Sequence, residues 1–494
     1  MRLYLSGHEY KYAVEQMLLT LFPHERPVYP EGRPSGERME ISLCSGRQRT
    51  TAACVYRRGA ERFCGRASTS NSCLGDKLGR DRICQRLVKN AMYRAALASG
   101  VAEPVWGALT GVRPGKLLAA LLEQGLGEEE ALRQFREEYR VSPERAALCL
   151  DASRHTLAAK RSLTERDVCL YIGIPFCPTR CAYCSFVSQS VEKSMKLIAP
   201  FLSALEREIE ATAEQVRALG LRVVSIYMGG GTPTTLSAEE LERLCTLLET
   251  AFDLSALREY TVEAGRPDTI TPERLRVLRA HGVGRVSVNP QTMSDAVLEA
   301  IGRRHTAAAV EEALGTVRTV GGFAVNMDLI AGLPADSVAG FSETLERVLA
   351  LAPENITVHT LSLKKGSRIT LEGTPLPSAE DVGRMLDMAN ARLREAGYAP
   401  YYLYRQKFMS GGFENVGWAK PGYENLYNIC IMEELCSILA MGGGGSTKLI
   451  RHDGGRNIRL MAPKYPLEYI ENIEKTCADK AQIAAFHHTV LKED

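Results

Sequence analysis

No apolar run in this 494-residue sequence reaches the roughly 20 residues that a membrane-crossing helix needs. Charge of one sign is also missing. The chain has 61 Lys+Arg against 59 Asp+Glu, a net charge of +2. It has neither the basic surplus of a bulk nucleic-acid binder nor an acidic tail, so nucleic acid is not an expected partner. The opening residues, MRLYLSGHEYKY, carry charges where a signal peptide needs an apolar stretch. A cytoplasmic protein is expected. Repeats and low-complexity tracts are absent. The 45% of hydrophobic residues is ample for a sizeable core, and the length suits two to four domains or one large barrel with additions.

Fourteen cysteines in so long a chain, without a signal peptide, do not read as a disulfide scaffold. Most sit singly in apolar segments. Cys149 in RAALCLD, Cys245 in LERLCTLLE and Cys436 in EELCSILA read as small core residues. Cys44, Cys54, Cys64 and Cys73 are evenly spaced but fall on strand and loop positions. Only Cys177, Cys181 and Cys184 cluster tightly, in YIGIPFCPTRCAYCSF. Thiolates suit Fe–S clusters or zinc. A structural zinc site wants four closed ligands, and no His or fourth Cys follows nearby. Three thiolates on four irons leave one iron open to a cofactor or substrate. An incidental cysteine cluster remains the alternative on spacing alone.

The text from about 167 to 365 alternates strand and helix. VCLYIGI, RVVSIYM, EYTVEAG, GRVSVNP, FAVNMDLIAG and NITVHTLSL are the six strands, and helical text separates each from the next. This pattern predicts six parallel β/α units in a barrel or partial barrel. Upstream, RLYLSGH reads as a strand, EYKYAVEQMLLTLF as an amphipathic helix, and MEISLCS with TTAACVYRR as a hairpin. Helical text is expected from about residue 86, and Ser142-Pro143-Glu144 as a helix start. Beyond about 366 the text is mixed α/β.

Active sites of β/α barrels lie at the C-terminal ends of the strands. The cysteine loop follows the first strand, and IYMGGGTPT follows the second. The glycines of the latter let backbone groups approach a ligand closely. Glu263, Gln291 and Asp328 repeat the placement on strands three, four and five. Each alone reads as readily as a capped turn, a buried hydrogen bond or a solvated edge. A ligand's hydroxyl donors would suit such groups, and five strand ends converging on one mouth point to a site.

CxxxCxYC, GGGTPT and this downstream series strongly resemble radical S-adenosylmethionine (SAM) proteins of the oxygen-independent coproporphyrinogen III oxidase group, from about 168 to 365 and more weakly to about 450. Residues 1–165, with WGALTGVRPGK at 106–116, resemble the long-form coproporphyrinogen dehydrogenase branch. The resemblance implies an α/β fold, a partial (β/α)6 radical SAM barrel over 166–365. An N-terminal α+β and helical accessory domain (1–165) would precede it, and a mixed α/β substrate or cap region (366–494) would follow. It implies a [4Fe–4S] cluster on Cys177, Cys181 and Cys184, and one or two SAM molecules. Tyr183 would flank the adenine and Tyr171 would lie near the cluster. Gly230, Gly231 and Thr232 would contact SAM, Glu263 would hold a ribose, and Gln291, Arg303 and Asp328 would complete the region. It further implies a tetrapyrrole substrate and an electron donor such as flavodoxin or ferredoxin.

Two positions depart from the oxidases' pattern. Gly173 stands where they carry His, and Phe186 where they carry a further Cys. The Ser-Phe ending is similar to relatives described as haem chaperones, yet Tyr427-Asn428 and GGGGSTK at 442–448 differ from those relatives too. Three functions follow: decarboxylation of coproporphyrinogen III, haem delivery, or radical chemistry on another tetrapyrrole such as haem ring opening. Lys364, Lys365, Arg368, Tyr402, Tyr404, Arg405 and Lys407 are candidate contacts for substrate carboxylates. The N-terminal region could bind substrate, a reductase or RNA.

Overall fold

The computed structural model describes residues 1–184, 189–190, 194–362, 367–406, 410–453 and 455–491. Phe186, Lys364, Lys365 and Lys407 lie outside the described residues. The chain forms two compact units, one of Met1–Leu150 with Arg405 and Gly411–Phe413, the other built on the chain from Asp151 onward.

The first unit holds a four-stranded sheet, β1 (Arg2–Ser6), β2 (Arg38–Ser45), β3 (Arg49–Arg58) and β4 (Glu61–Ser70), in that spatial order. β1 and β2 run parallel and the rest antiparallel, so the expected hairpin is present. Along β3, Thr50, Ala52, Cys54 and Tyr56 are buried while their neighbours are not, the alternation of a half-covered sheet. Helices Lys11–Leu21 and Lys77–Ala98 supply the covering core through Val14, Met17, Leu18, Val88, Ala91 and Met92. The second of these helices starts nine residues before the expected position. Asp76 caps it, accepting from Gly79 N at 2.8 Å. Helix Pro143–Ser162 begins where expected, with Ser142 Oγ accepting from Arg145 N at 3.3 Å.

In the second unit β5 (Asp167–Ile174) leads to a small ladder, β6 (Phe176–Cys177) with β7 (Gln189–Ser190). Next come β8 (Arg222–Gly230), β9 (Glu259–Val262), β10 (Arg285–Ser287), β11 (Ala324–Ala331) and β12 (Asn355–Thr360). β5 and β8–β12 are the six strands read from the sequence. They pair in order, all parallel, with near-continuous burial as a doubly covered parallel sheet requires. Helices Ile198–Ala218, Ala238–Ala251, Pro272–Ala280, Ala307–Val320 and Val338–Ala350 fall between them. Ser237 and Glu240 form a full capping box on the second of these helices.

The remaining strands are β13 (Ala399–Arg405), β14 (Glu414–Ala419), β15 (Ser437–Gly442), β16 (Ser446–Leu449) and β17 (Ile458–Met461). They extend the same sheet at both ends, in the order β13-β14-β12-β11-β10-β9-β8-β5-β15-β16-β17. β15 joins β5 in parallel, whereas β14 pairs antiparallel to β12. The eleven-stranded sheet does not close, and the α/β partial-barrel expectation holds. Among the described residues no helix is long and apolar enough to cross a membrane.

Candidate functional site

The parallel direction of β5 and β8–β12 brings their C-terminal ends to one edge. The cysteine loop leaves β5 there and is hydrogen-bonded to the end of β8. Gly231 N donates to Ile174 O and Thr232 N to Phe176 O, both at 2.7 Å, and Thr232 Oγ1 lies 3.6 Å from Cys177 Sγ. A Cβ on Gly231 would stand 2.4 Å from Phe176 O, and Gly230 has a φ of +106°. The glycines are thus required by the contact between the two motifs. Gly231→Ala is expected to pry β8 from the loop at a cost of about 1–3 kcal/mol. Thermal melting and iron content after anaerobic reconstitution check this, and both should fall.

Two arginines support the loop. Arg266 is buried, its Nη1 3.8 Å from Cys181 Sγ and its Nη2 3.0 Å from Thr179 Oγ1. Arg303 donates to Asn289 O at 2.6 Å and to Tyr183 OH at 3.2 Å. Burial pushes the Cys181 thiol up, but the two guanidiniums and a hydrogen bond from Tyr183 outweigh it and hold the thiol below its ordinary value. His305 is pushed down to about 4 by burial and by the same two cations. The surroundings of Cys181 therefore favour negative charge. Tyr183 also packs on the apolar cluster of Val297, Leu298, Ile301, Ile330, Leu333 and Leu361.

On the other side Glu263 accepts from Tyr227 OH at 2.6 Å and abuts the glycine run, its Oε2 2.9 Å from where a Cβ on Gly229 would lie. Burial raises its carboxyl to about 7. The Tyr227 hydrogen bond opposes the rise and the charge of Asp328 adds to it. Asp328 accepts from Asn326 at 2.8 Å and faces His359, Nε2 to Oδ2 3.8 Å. Burial alone would raise Asp328, yet His359 and the hydrogen bonds hold it below the usual carboxylate range. Gln291 sits at φ +68°, its N donating to Asp328 O at 2.9 Å. Tyr171, Tyr227 and Tyr427 form a stack with ring centroids 4.5–6.4 Å apart. Helix Leu426–Glu433 brings in Tyr427, its N-terminus pinned by Glu259, which accepts from Leu426 N at 3.0 Å and Tyr427 N at 3.2 Å.

All twelve residues expected from the sequence fall in this unit. Cys181, Tyr183 and Arg303 form one contact group; Gly230, Glu263 and Tyr171 form another; Gln291 and Asp328 form a third. Arg266, Tyr227 and His359 were not read from the sequence, and Tyr427 was read only as a departure from the haem-chaperone pattern. Arg266 was the most accessible, three residues after Glu263 in TVEAGRP. Two expected substrate contacts are corrected. Arg405 is committed to backbone carbonyls, donating to Leu109 O at 2.6 Å and to Gly412 O, with its guanidinium 5.1 Å from the Trp106 ring centroid. Tyr402 is buried in the core against Tyr401.

Comparison with known proteins agrees with this geometry. The radical SAM superfamily matches residues 171–348. The oxygen-independent coproporphyrinogen-III oxidase-like protein HemZ of Bacillus subtilis is 41% identical over 76% of each chain. The heme chaperone HemW of the same organism is 30% identical over 52% of this chain and 65% of its own. The structure of coproporphyrinogen III oxidase from Escherichia coli shares the fold, with a TM-score of 0.52 at 24% identity, over 65% of this chain and 72% of that one.

The chain belongs to the radical SAM superfamily, within its coproporphyrinogen III oxidase-like group. Its cofactors are accordingly a [4Fe–4S] cluster and SAM. The residues present fit both groups. The donor set is three thiols beside two guanidiniums, and the glycine run packs so closely on the loop and on Glu263 that side chains there would collide with them.

Proposed function

We propose that this chain carries out the oxygen-independent oxidative decarboxylation of coproporphyrinogen III to protoporphyrinogen IX. The carrying observation is the meeting of the cysteine loop, the glycine-rich end of β8 and Glu263 at one edge of the sheet, in a chain so similar to an oxidase-like relative. In this reading Cys177, Cys181 and Cys184 hold the cluster, leaving one iron open to SAM. Gly230, Gly231 and Thr232 offer backbone groups to SAM, Glu263 accepts from the ribose hydroxyls, and Tyr183 flanks the adenine. Tyr171, in the tyrosine stack, keeps water from the region beside the cluster. Gln291, Arg303 and Asp328 complete the region for one SAM or two.

Cluster and SAM supply, when bound, a carbon-centred radical able to take a hydrogen atom from a propionate β-carbon. The chain's own work is placement and exclusion of water. Tyr227 steadies the Glu263 carboxylate by donating to it, and Arg266 and Arg303 hold the Cys181 side of the loop. Arg368 lies in an exposed pair with Glu372 at 3.1 Å and remains the described cation best placed in sequence, after β12, to meet substrate carboxylates. An electron donor such as flavodoxin or ferredoxin would serve the cluster.

Haem delivery is the second reading, favoured by the haem-chaperone relative and by Gly173. A Cβ there would stand 3.0 Å from Gly443 O and 3.3 Å from the Tyr171 ring. The β5 position that carries His in the oxidases is closed off by the Gly442–Gly443 turn. Anaerobic incubation of reconstituted protein with SAM, reductant and coproporphyrinogen III, read by mass spectrometry, separates the two. We expect vinyl products, with SAM cleavage outrunning decarboxylation unless an electron acceptor is added. Tight haem binding with no vinyl product under any acceptor would replace the enzyme reading by delivery.

A further inference from the structure

Three cysteines outside the loop meet in the core. Cys169 lies in β5, Cys430 in helix Leu426–Glu433, and Cys436 just before β15. Their Sγ atoms all lie within 4.8 Å of one another, with Cys169 and Cys436 3.6 Å apart, and all three residues are buried. We propose that Cys169, Cys430 and Cys436 form a second metal site, a buried three-thiolate site for a soft, low-coordinate ion such as Cu(I).

Rigid elements set the geometry. β15 lies parallel to β5 with Ser437 beside Val168 and Ile438 beside Cys169, which places Cys436 at the same end of the strand pair. The helix ends at Glu433, and Glu434 adopts φ +57°. Leu435 N then donates to Cys430 O at 3.3 Å, so the chain doubles back and returns Cys436 to Cys430. Three sulfurs bonded to one ion at about 2.3 Å stand roughly 3.8–4.0 Å apart. The observed separations need adjustments of only a few tenths of an ångström to about one ångström to meet that.

A buried cysteine is ordinarily a small apolar residue. Cys149 and Cys245 fit that description and join no such group. Three thiols brought from separate elements to one point match a ligand set instead. Among the described residues no further His, Cys or carboxylate shares that radius. Zinc prefers a fourth ligand, whereas an all-sulfur set of three selects a softer ion. Val224, Ile429 and Ile438 pack in the same cluster, and the carboxylates that act on these sulfurs, Asp167 and Glu259, disfavour further negative charge, so thiolates there call for a cation.

The test uses the full-length protein under anaerobic conditions, titrated with Cu(I) in competition with a chromophoric Cu(I) chelator. A variant with Cys177, Cys181 and Cys184 all replaced by alanine is run in parallel. We expect the triple-alanine protein to retain about one ion per chain and the parent at least one. X-ray absorption should show three sulfur neighbours in each. Cys430→Ala and Cys436→Ala, each made in the triple-alanine protein so that the loop thiols cannot hold the ion, should lose it while circular dichroism shows them folded. If those variants do not fold, the sulfur count of the triple-alanine protein decides. Failure of the triple-alanine protein to retain the ion, retention by folded Cys430→Ala, or fewer than three sulfur neighbours would overturn the proposal.

Discussion

Replacing Cys181 by alanine should remove the iron–sulfur cluster altogether. Wild-type protein reconstituted without oxygen should carry about four irons per chain, since three thiolates and one open iron suit a cubane cluster. The variant should carry almost none and lose the associated visible absorbance. The effect is expected to be this large because two loop thiols remain and no His or Cys follows nearby to replace the third. The surroundings compound the loss. Arg266 and Arg303 both bear on the Cys181 sulfur, and without it both buried guanidiniums lose that partner, although Arg266 keeps Asp268 at 3.3 Å. Cys245→Ala provides the control, because Cys245 is buried and contacts Tyr260, at 3.6 Å, rather than the loop. A Cys181 variant with full iron and full SAM cleavage would contradict the assignment.

Glu263→Gln should weaken SAM binding while leaving the cluster in place. A carboxylate accepts charge-assisted hydrogen bonds worth about 1.5–3 kcal/mol, which an amide makes less well. Neutral bonds are worth about 0.5–1.5 kcal/mol, so the difference of roughly 1–1.5 kcal/mol corresponds to about 5- to 10-fold in Kd. The same residue gives the binding a pH signature. Its carboxyl lies at about 7, well above the ordinary value, chiefly through burial. SAM hydroxyls bond best to the ionised form, so bound SAM favours loss of the proton. Affinity should therefore strengthen as pH rises through about 7 and weaken as pH falls below it. Calorimetry across this range should show that dependence in the wild type and a flat profile in Glu263→Gln. Equal affinity in the two proteins would remove Glu263 from the site.

The six parallel strands were legible because each is a short apolar run bounded by turn residues and followed by helical periodicity. The cysteine loop was legible because its three thiols lie within eight residues. Features formed by distant segments were not. Cys436 read as a lone core residue because nothing in sequence spacing links it to Cys169, 267 positions away. His359 read as part of a β-branched strand, and its pairing with Asp328 depends on the register of β11 with β12. The strands after residue 366 read as mixed text, and the pairing of β15 with β5 is a long-range contact with no local signature. Arg405 read as a substrate contact because an exposed guanidinium and one spent on buried carbonyls look alike in sequence.

Coproporphyrinogen III deuterated at the propionate β-carbons tests the central claim most directly. The protein, with its cluster reconstituted, is incubated without oxygen with this substrate, SAM, a reductant and an electron acceptor. The recovered 5′-deoxyadenosine and the tetrapyrroles are then weighed by mass spectrometry. The account predicts that deuterium moves from the propionate into 5′-deoxyadenosine as vinyl groups appear. Unlabelled 5′-deoxyadenosine with intact propionates, under every acceptor tried, would contradict it.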